Sequence, residues 1–251
     1  KILGPALGGL LIAWLGASGN FFAQAAAYLG VFVMIYIMRV PENSTVGKQS
    51  SIFEEIREGI KYVLANPVLL TVIVIALIPP LFATPYMSLM PIFQKDIYGV
   101  GPEELGLLMG APGLGAILSL SLLASIGDRI RRKGILLLGG LAIFGIILIL
   151  FSRTTSFPLA LIPLAAAGFF QLTYITGAYT IIQLITPDEL RGRVLSIYFL
   201  DRGLSPLGAF AAVFAADQLG APLTITIMGS LVVFLVLIVA WKSPQLRQLE
   251  L

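Results

Sequence analysis

"GDRIRRKG" (residues 127–134) places Arg129, Arg131, Arg132 and Lys133 within five positions, between two long stretches that carry no charge. A nucleic-acid patch, a nuclear address and a membrane-edge anchor would all use such a cluster, so its surroundings decide the reading. Of 251 residues, 58% are apolar and 12% charged, and the mean hydropathy is +0.97. Soluble domains carry about 25% charged residues and need a charged exterior without large apolar patches. A chain this apolar cannot supply one, so the solvent is a lipid bilayer. One short basic loop is also too narrow to meet the phosphate field of a nucleic acid, and no nucleic-acid partner is expected. With no cysteine and no histidine, the usual zinc, thiolate and acid-base constellations are absent. We therefore expect no metal, no cofactor and no enzymatic activity.

A bilayer core needs roughly 20 mostly apolar residues per helix. That length gives eight candidate spans, at about 2–17, 20–38, 68–93, 103–125, 135–152, 157–185, 191–217 and 221–241. If every span crosses once with Lys1 inside, one side holds Lys1, Arg39, Lys48, Arg57, Lys61, Arg129, Arg131, Arg132, Lys133, Arg191, Arg193, Lys242 and Arg247. The other side keeps only Lys95 and Arg153, while Arg202 falls within a span. Under the positive-inside rule the richer side is cytoplasmic, which makes residues 127–134 a cytoplasmic loop and puts the C-terminus in the cytoplasm. The first residue is Lys1 and an apolar helix begins almost at once, so we expect a chain truncated at its N-terminus.

The longest loop, 39–67, has organisation of its own. Ser51 and Glu54 read as a capping box, and Phe53, Ile56, Ile60 and Val63 fall on one face of an amphipathic helix that Asn66-Pro67 ends. Thr186 with Glu189 reads as a second capping box, and Gly101-Pro102 starts the fourth span. The domain division that follows is 1–38 as the last two helices of an N-terminal bundle, 39–67 as the loop between bundles, 68–241 as a six-helix C-terminal bundle and 242–251 as a tail. "GPALGGLLIAWLGA" (4–17) and "SPLGAFAAVFAADQLGA" (205–221) form a weak repeat, as repeated bundles in transporters do.

The loop at 124–134 resembles the signature loop of the major facilitator superfamily, Gly-x-x-x-Asp-Arg-x-Gly-Arg-Arg/Lys-Arg/Lys. Asp128, Arg129, Arg132 and Lys133 match, while Ala124 and Arg131 stand where the pattern has glycine. "GPALGGLL" (4–11), "MPIFQKDIYGVGPEELGLLMGAPGLGA" (90–116) and "TPDELRGRVLSIY" (186–198) are similar to the same superfamily, in its enterobactin-exporter-like and macrolide-efflux-like branch. The resemblance implies an all-α, polytopic transmembrane bundle of twelve helices, of which helices five to twelve are present. It also implies secondary active export, usually as a proton antiporter, with a gate at Asp128 and Arg129.

Several residues are candidates for the transport path, each with a plainer reading beside it. Gly4, Pro5, Gly8 and Gly9 resemble the fifth-helix signature of exporters, and they would equally serve close helix packing, as would Gly106, Gly110 and Gly113. Thr173, Thr176, Thr180 and Gln183 fall within about 80 degrees on one helix, with Tyr179 beside them. They line a substrate path or bond neighbouring helices. Thr84 and Tyr86 lie in a proline-interrupted span, a form that often marks transport sites. Asp201 and Arg202 are the adjacent charges deep inside a span, read as proton-coupling groups or as members of structural ion pairs.

These readings converge on a multi-pass cell-membrane exporter of small amphipathic compounds, such as drugs, macrolides or siderophores. As the resemblance implies, it is expected to work by alternating access coupled to proton entry. Its partners are the cargo, protons, lipid and the missing N-terminal helices of the same chain. An uptake carrier of the same fold and a non-transporting membrane scaffold are the alternatives.

Overall fold

The computed structural model describes residues 3–38, 52–127, 130 and 132–249, with side chains from residue 18 onward except at 20, 52 and 53. Asp128, Arg129 and Arg131 lie outside the described residues, as do Lys1, Arg39, Lys48 and Ser51. The described residues are helical and form no strand. We label the segments α1 (Leu3–Ile37), α2 (Ile52–Ala65), α3 (Pro67–Ile97), α4 (Pro102–Ile126), α5 (Lys133–Ser152), α6 (Phe157–Ile185), α7 (Asp188–Leu219), α8 (Ala221–Lys242) and α9 (Pro244–Arg247). The six from α3 to α8 are long and apolar enough to cross a membrane. They reproduce the last six expected spans to within a few residues.

The front of the chain departs from expectation. Two spans, 2–17 and 20–38, were anticipated, whereas α1 runs as one helix through Ser18, Gly19 and Asn20. At about 1.5 Å per residue its 35 residues extend about 52 Å, well beyond a hydrocarbon core of about 30 Å. The physical reason is local. Serine, glycine and asparagine weaken a helix by only about 0.5–1 kcal/mol each, and from Phe21 to Met38 the side chains stand largely exposed, so nothing packs there to force a turn. Gly4, Pro5, Gly8 and Gly9 lie in the first turns of this helix.

Lipid is as apolar as leucine, so apolar burial does not drive these helices together; close packing and interhelical hydrogen bonds do. Helices α4 and α6 meet backbone to backbone. A Cβ on Gly115 would sit 1.7 Å from the Ala165 carbonyl oxygen, and one on Gly168 would sit 1.8 Å from that of Pro112. The contact is made by Gly115, not by the anticipated Gly106 and Gly110, which have open space where a side chain would go. Across the same pair, the hydroxyls of Ser119 and Thr173 are 2.9 Å apart. Ser152 and Thr226 join α5 to α8 at 2.8 Å.

The core gathers around α5, whose Leu141, Phe144, Leu148 and Phe151 are fully buried. Phe144 meets the ring of Tyr86 from α3 edge-on at 6.1 Å and that of Tyr174 from α6 at 6.0 Å. Large apolar side chains such as Phe210, Phe214 and Phe234 are exposed on the outer helices, where lipid can receive them.

At the end of the bundle where α5 begins, α2 forms as a helix, but of the expected apolar face Phe53, Ile56, Ile60 and Val63 only Val63 is found buried, the Phe53 side chain lying outside the described residues. Its inner side is Gly59, Tyr62 and Val63, while Ile56 and Ile60 face outward. Arg193 of α7 pairs with Glu58 and, at 3.5 Å, with Glu55, and the Tyr62 hydroxyl donates to the Ile185 carbonyl at 3.3 Å. Asn66 does more than end α2. Its Oδ1 accepts from the Val68 and Leu69 amides at 3.1 and 3.2 Å, capping α3 with Pro67 in the first turn. The capping box expected at Thr186 is not formed. Pro187 occupies the cap position of α7, one residue later, and the Thr186 hydroxyl is buried without a partner.

Candidate functional site

Two of the six spans are broken at the middle of their length. Along α3, α-helix gives way at Ala83, a 3-10 segment covers Thr84–Leu89, and a π turn closes the span at Phe93–Ile97. Prolines cause this: Pro79, Pro80, Pro85 and Pro91 lack the amide hydrogens that a continuous helix would use. In α7 the 3-10 segment is Phe199–Leu204, with Pro206 just beyond it. Thr84 lies about 25 Å along α3 and Arg202 about 21 Å along α7, both measured from the same end at 1.5 Å per residue. The two irregular stretches therefore meet at similar depth.

They meet closely because Gly208 has no side chain. A Cβ there would fall 2.1 Å from the Pro80 carbonyl oxygen and 2.9 Å from the Pro85 ring. Beside this crossing opens a cleft of about 340 Å³, lined by Thr84, Pro85 and Ser88 from α3 and by Arg202, Ser205 and Pro206 from α7. The Thr84 hydroxyl donates to the Pro79 carbonyl at 3.3 Å. The Arg202 guanidinium carbon lies 4.4 Å from the centre of the Phe199 ring, and among the described residues it forms no ion pair.

The preceding residue, Asp201, is half-buried. Its Oδ1 is buried and has no hydrogen-bond partner. Around it lie the phenols of Tyr174 on α6 and Tyr198 on α7, with the backbone amide and the charge of Arg202. Tyr198 belongs to a ring cluster in which Tyr179 of α6 packs at 5.3 Å from it and at 5.7 Å from Phe199. The ring cluster thus reaches the cleft through Phe199, which touches both Tyr179 and Arg202.

The expected residues separate accordingly. Thr84 and Arg202 come together at the cleft, and Tyr179 joins the rings beneath it. Thr173 is buried in the α4–α6 contact, donating to the Phe169 carbonyl or to Ser119 at 2.9 Å. Its position is that of a helix-to-helix bond. Thr176 and Thr180 are half-buried and Gln183 is exposed. Tyr86, one residue removed from the cleft lining, turns into the core at 1% exposure with its hydroxyl unpartnered. A buried, unpaired hydroxyl costs about 1–3 kcal/mol, so Tyr86→Phe is expected to leave the thermal midpoint unchanged or raise it. A fall of several degrees in detergent would show a bond at that hydroxyl. At the loop, Lys133 is buried and its Nζ donates to the Gly127 carbonyl, a cation at the negative end of α4. Arg132 is exposed at the start of α5.

Sequence reasoning missed the Phe199–Arg202 pairing, although its i,i+3 spacing on one helix was a usable signal. It also did not combine Ser88 with Ser205, which only the crossing at Gly208 brings together.

Broken spans flanking a cleft at mid-depth are a form that recurs in transporters, and comparison with known proteins points the same way. The pattern of the transmembrane secretion effector family matches residues 1–251. The chain belongs to that family, within the major facilitator superfamily. It is 28% identical, over its whole length and 61% of the relative's, to the "Multidrug efflux pump Tap" of Mycolicibacterium fortuitum. It is 24% identical to the "Staphyloferrin A transporter" of Staphylococcus aureus, over 91% of this chain and 57% of that protein. The "Multi-drug resistance efflux pump PmrA homolog" of Lactococcus lactis is 30% identical over 78% of this chain and 48% of its own length. The chain spans about half to three fifths of the length of these curated relatives. It is a multi-pass, all-helical membrane protein of an efflux-type transporter family.

Proposed function

We propose that the intact protein is a proton-coupled exporter of small amphipathic compounds, in which the six-helix unit at 68–241 is one of two bundles that rock about a mid-membrane site. The observation that carries this reading is the meeting of broken spans α3 and α7 around a cleft lined by Arg202, with the half-buried Asp201 next to it in the chain. The relatives' names, two efflux pumps and a siderophore transporter, support the export of drug-like or siderophore-like cargo. So does the exporter-like Gly4, Pro5, Gly8 and Gly9 sequence.

Asp201 carries the coupling proton in this account. An intramembrane carboxylate is a functional group by default, and its Oδ1 has room for a bond that a proton or a shifting tyrosine can supply. Tyr174 and Tyr198 are its phenolic neighbours and Arg202 its nearest charge. Asp128, Arg129, Arg132 and Lys133 form the cytoplasmic gate, with Lys133 holding the end of α4. The charge distribution along the chain supports a cytoplasmic C-terminus.

The test is transport by the intact protein in inverted membrane vesicles. An imposed proton gradient, acidic inside, should drive accumulation of a neutral amphipathic dye, and collapsing the gradient should stop it. Accumulation independent of the gradient would contradict the coupling. Movement in the opposite direction would identify an uptake carrier, and the absence of any flux would identify a scaffold.

A further inference from the structure

The cleft between α3 and α7 has an unbalanced chemistry that the export reading does not by itself explain. Arg202 brings a full positive charge to the middle of a membrane span, yet no acidic side chain lines the cleft. The nearest carboxylate, Asp201, is not among the cleft-lining residues and forms no ion pair with Arg202; its Oδ1 is buried near the Tyr174 and Tyr198 phenols. Phe199 holds the guanidinium from 4.4 Å and offers it no acceptor oxygen. The hydroxyls of Ser88 and Ser205 have no hydrogen-bond partner among the described residues, and that of Thr84 has only a 3.3 Å bond to its own helix. A cation at this depth requires a counter-charge. A guanidinium is matched best by a planar oxyanion, which it binds through two parallel N–H donors.

We infer that this cleft binds the carboxylate of an amphipathic organic acid, with Arg202 as the anchor, Ser88 and Ser205 as additional donors, and Pro85 and Pro206 as the apolar walls. The inference rests on the transport reading and gives that site a charge preference. Its rival is an ion pair between Arg202 and an acidic residue of another helix of the intact protein. In that case the cleft would have no preference among cargoes.

Binding of pyrenebutanoate and of its uncharged amide, pyrenebutanamide, to the purified intact protein in lipid nanodiscs separates the two. The wild type should bind the acid at least about tenfold more tightly than the amide, the effect of one charge-assisted pair. Arg202→Gln should weaken the acid at least tenfold more than the amide. Arg202→Lys, which keeps the charge and loses the fork, should retain a reduced preference for the acid, and it serves also if the glutamine variant does not fold. A wild type that binds both probes equally overturns the inference, as does an Arg202→Gln protein that weakens both alike, the mark of an interhelical ion pair. If that happens while proton-driven export of the neutral dye persists, the anion site falls and the transport reading stands. If the wild type drives no flux at all, the transport reading falls and the anion site falls with it.

Discussion

Replacing Asp201 with asparagine in the intact protein should remove proton-driven export, by on the order of a hundredfold, while leaving the protein folded. Moving a two-state balance from 1:99 to 99:1 takes about 5.5 kcal/mol of differential binding. In this account that difference comes from a proton that asparagine can neither take up nor release. The substitution keeps size and shape, and the one oxygen known to lack a partner in the folded state is Oδ1, so little structural cost is expected. Two fluxes should part company. Gradient-driven accumulation is lost, whereas downhill exchange of cargo across the membrane continues. An Asp201→Asn protein that accumulates cargo as the wild type does would move the coupling group elsewhere.

The second large effect is structural. Gly208→Val places a side chain where Pro80 already is, since even a Cβ would lie 2.1 Å from that carbonyl oxygen and 3.0 Å from the Leu81 Cα. Backbone cannot yield as the end of a flexible side chain does. The two broken spans must separate, at a cost of about 3 kcal/mol or more for overpacking of this kind. The expected observation is a lower thermal midpoint in detergent and a poor yield of folded protein. Gly203→Ala, five residues earlier on the same segment, meets nothing within 4 Å and should change the midpoint little. Equal effects from both substitutions would mean that α3 and α7 do not cross at Gly208.

The parts of this architecture that were legible from sequence are those set by the bilayer. Apolar length fixes where α3 to α8 lie, because a hydrocarbon core about 30 Å thick accepts few other lengths. Proline placement fixed the interruption of α3, since Pro79, Pro80 and Pro85 remove backbone donors whatever surrounds them. Of the residues that share a helical face with Asp201 by spacing, Gly208 and Ala212 are buried, whereas Ser205 lines the cleft.

What sequence could not give depends on which surfaces meet. Thr173 and Thr176 differ by less than one turn of the same helix, yet the first is buried against Ser119 and the second is not. Their spacing carries no sign of this, because the position of Ser119 depends on the Gly115 and Gly168 crossing. The cap of α7 turned on one residue of register between Thr186 and Pro187. For α1, the composition near Ser18 to Asn20 permits a turn without requiring one, and the helix continues through it.

The absence of cysteine makes the central claim, that α3 and α7 flank a cleft within the membrane that cargo enters, directly measurable. Single cysteines are introduced into the intact protein at Ser205, on the cleft, and at Phe234, exposed on the outer surface of α8, and treated with a charged, membrane-impermeant thiol reagent. The account predicts that Ser205→Cys reacts and is shielded by added cargo, whereas Phe234→Cys stays unmodified in lipid. A Ser205→Cys protein as inert as Phe234→Cys would contradict it.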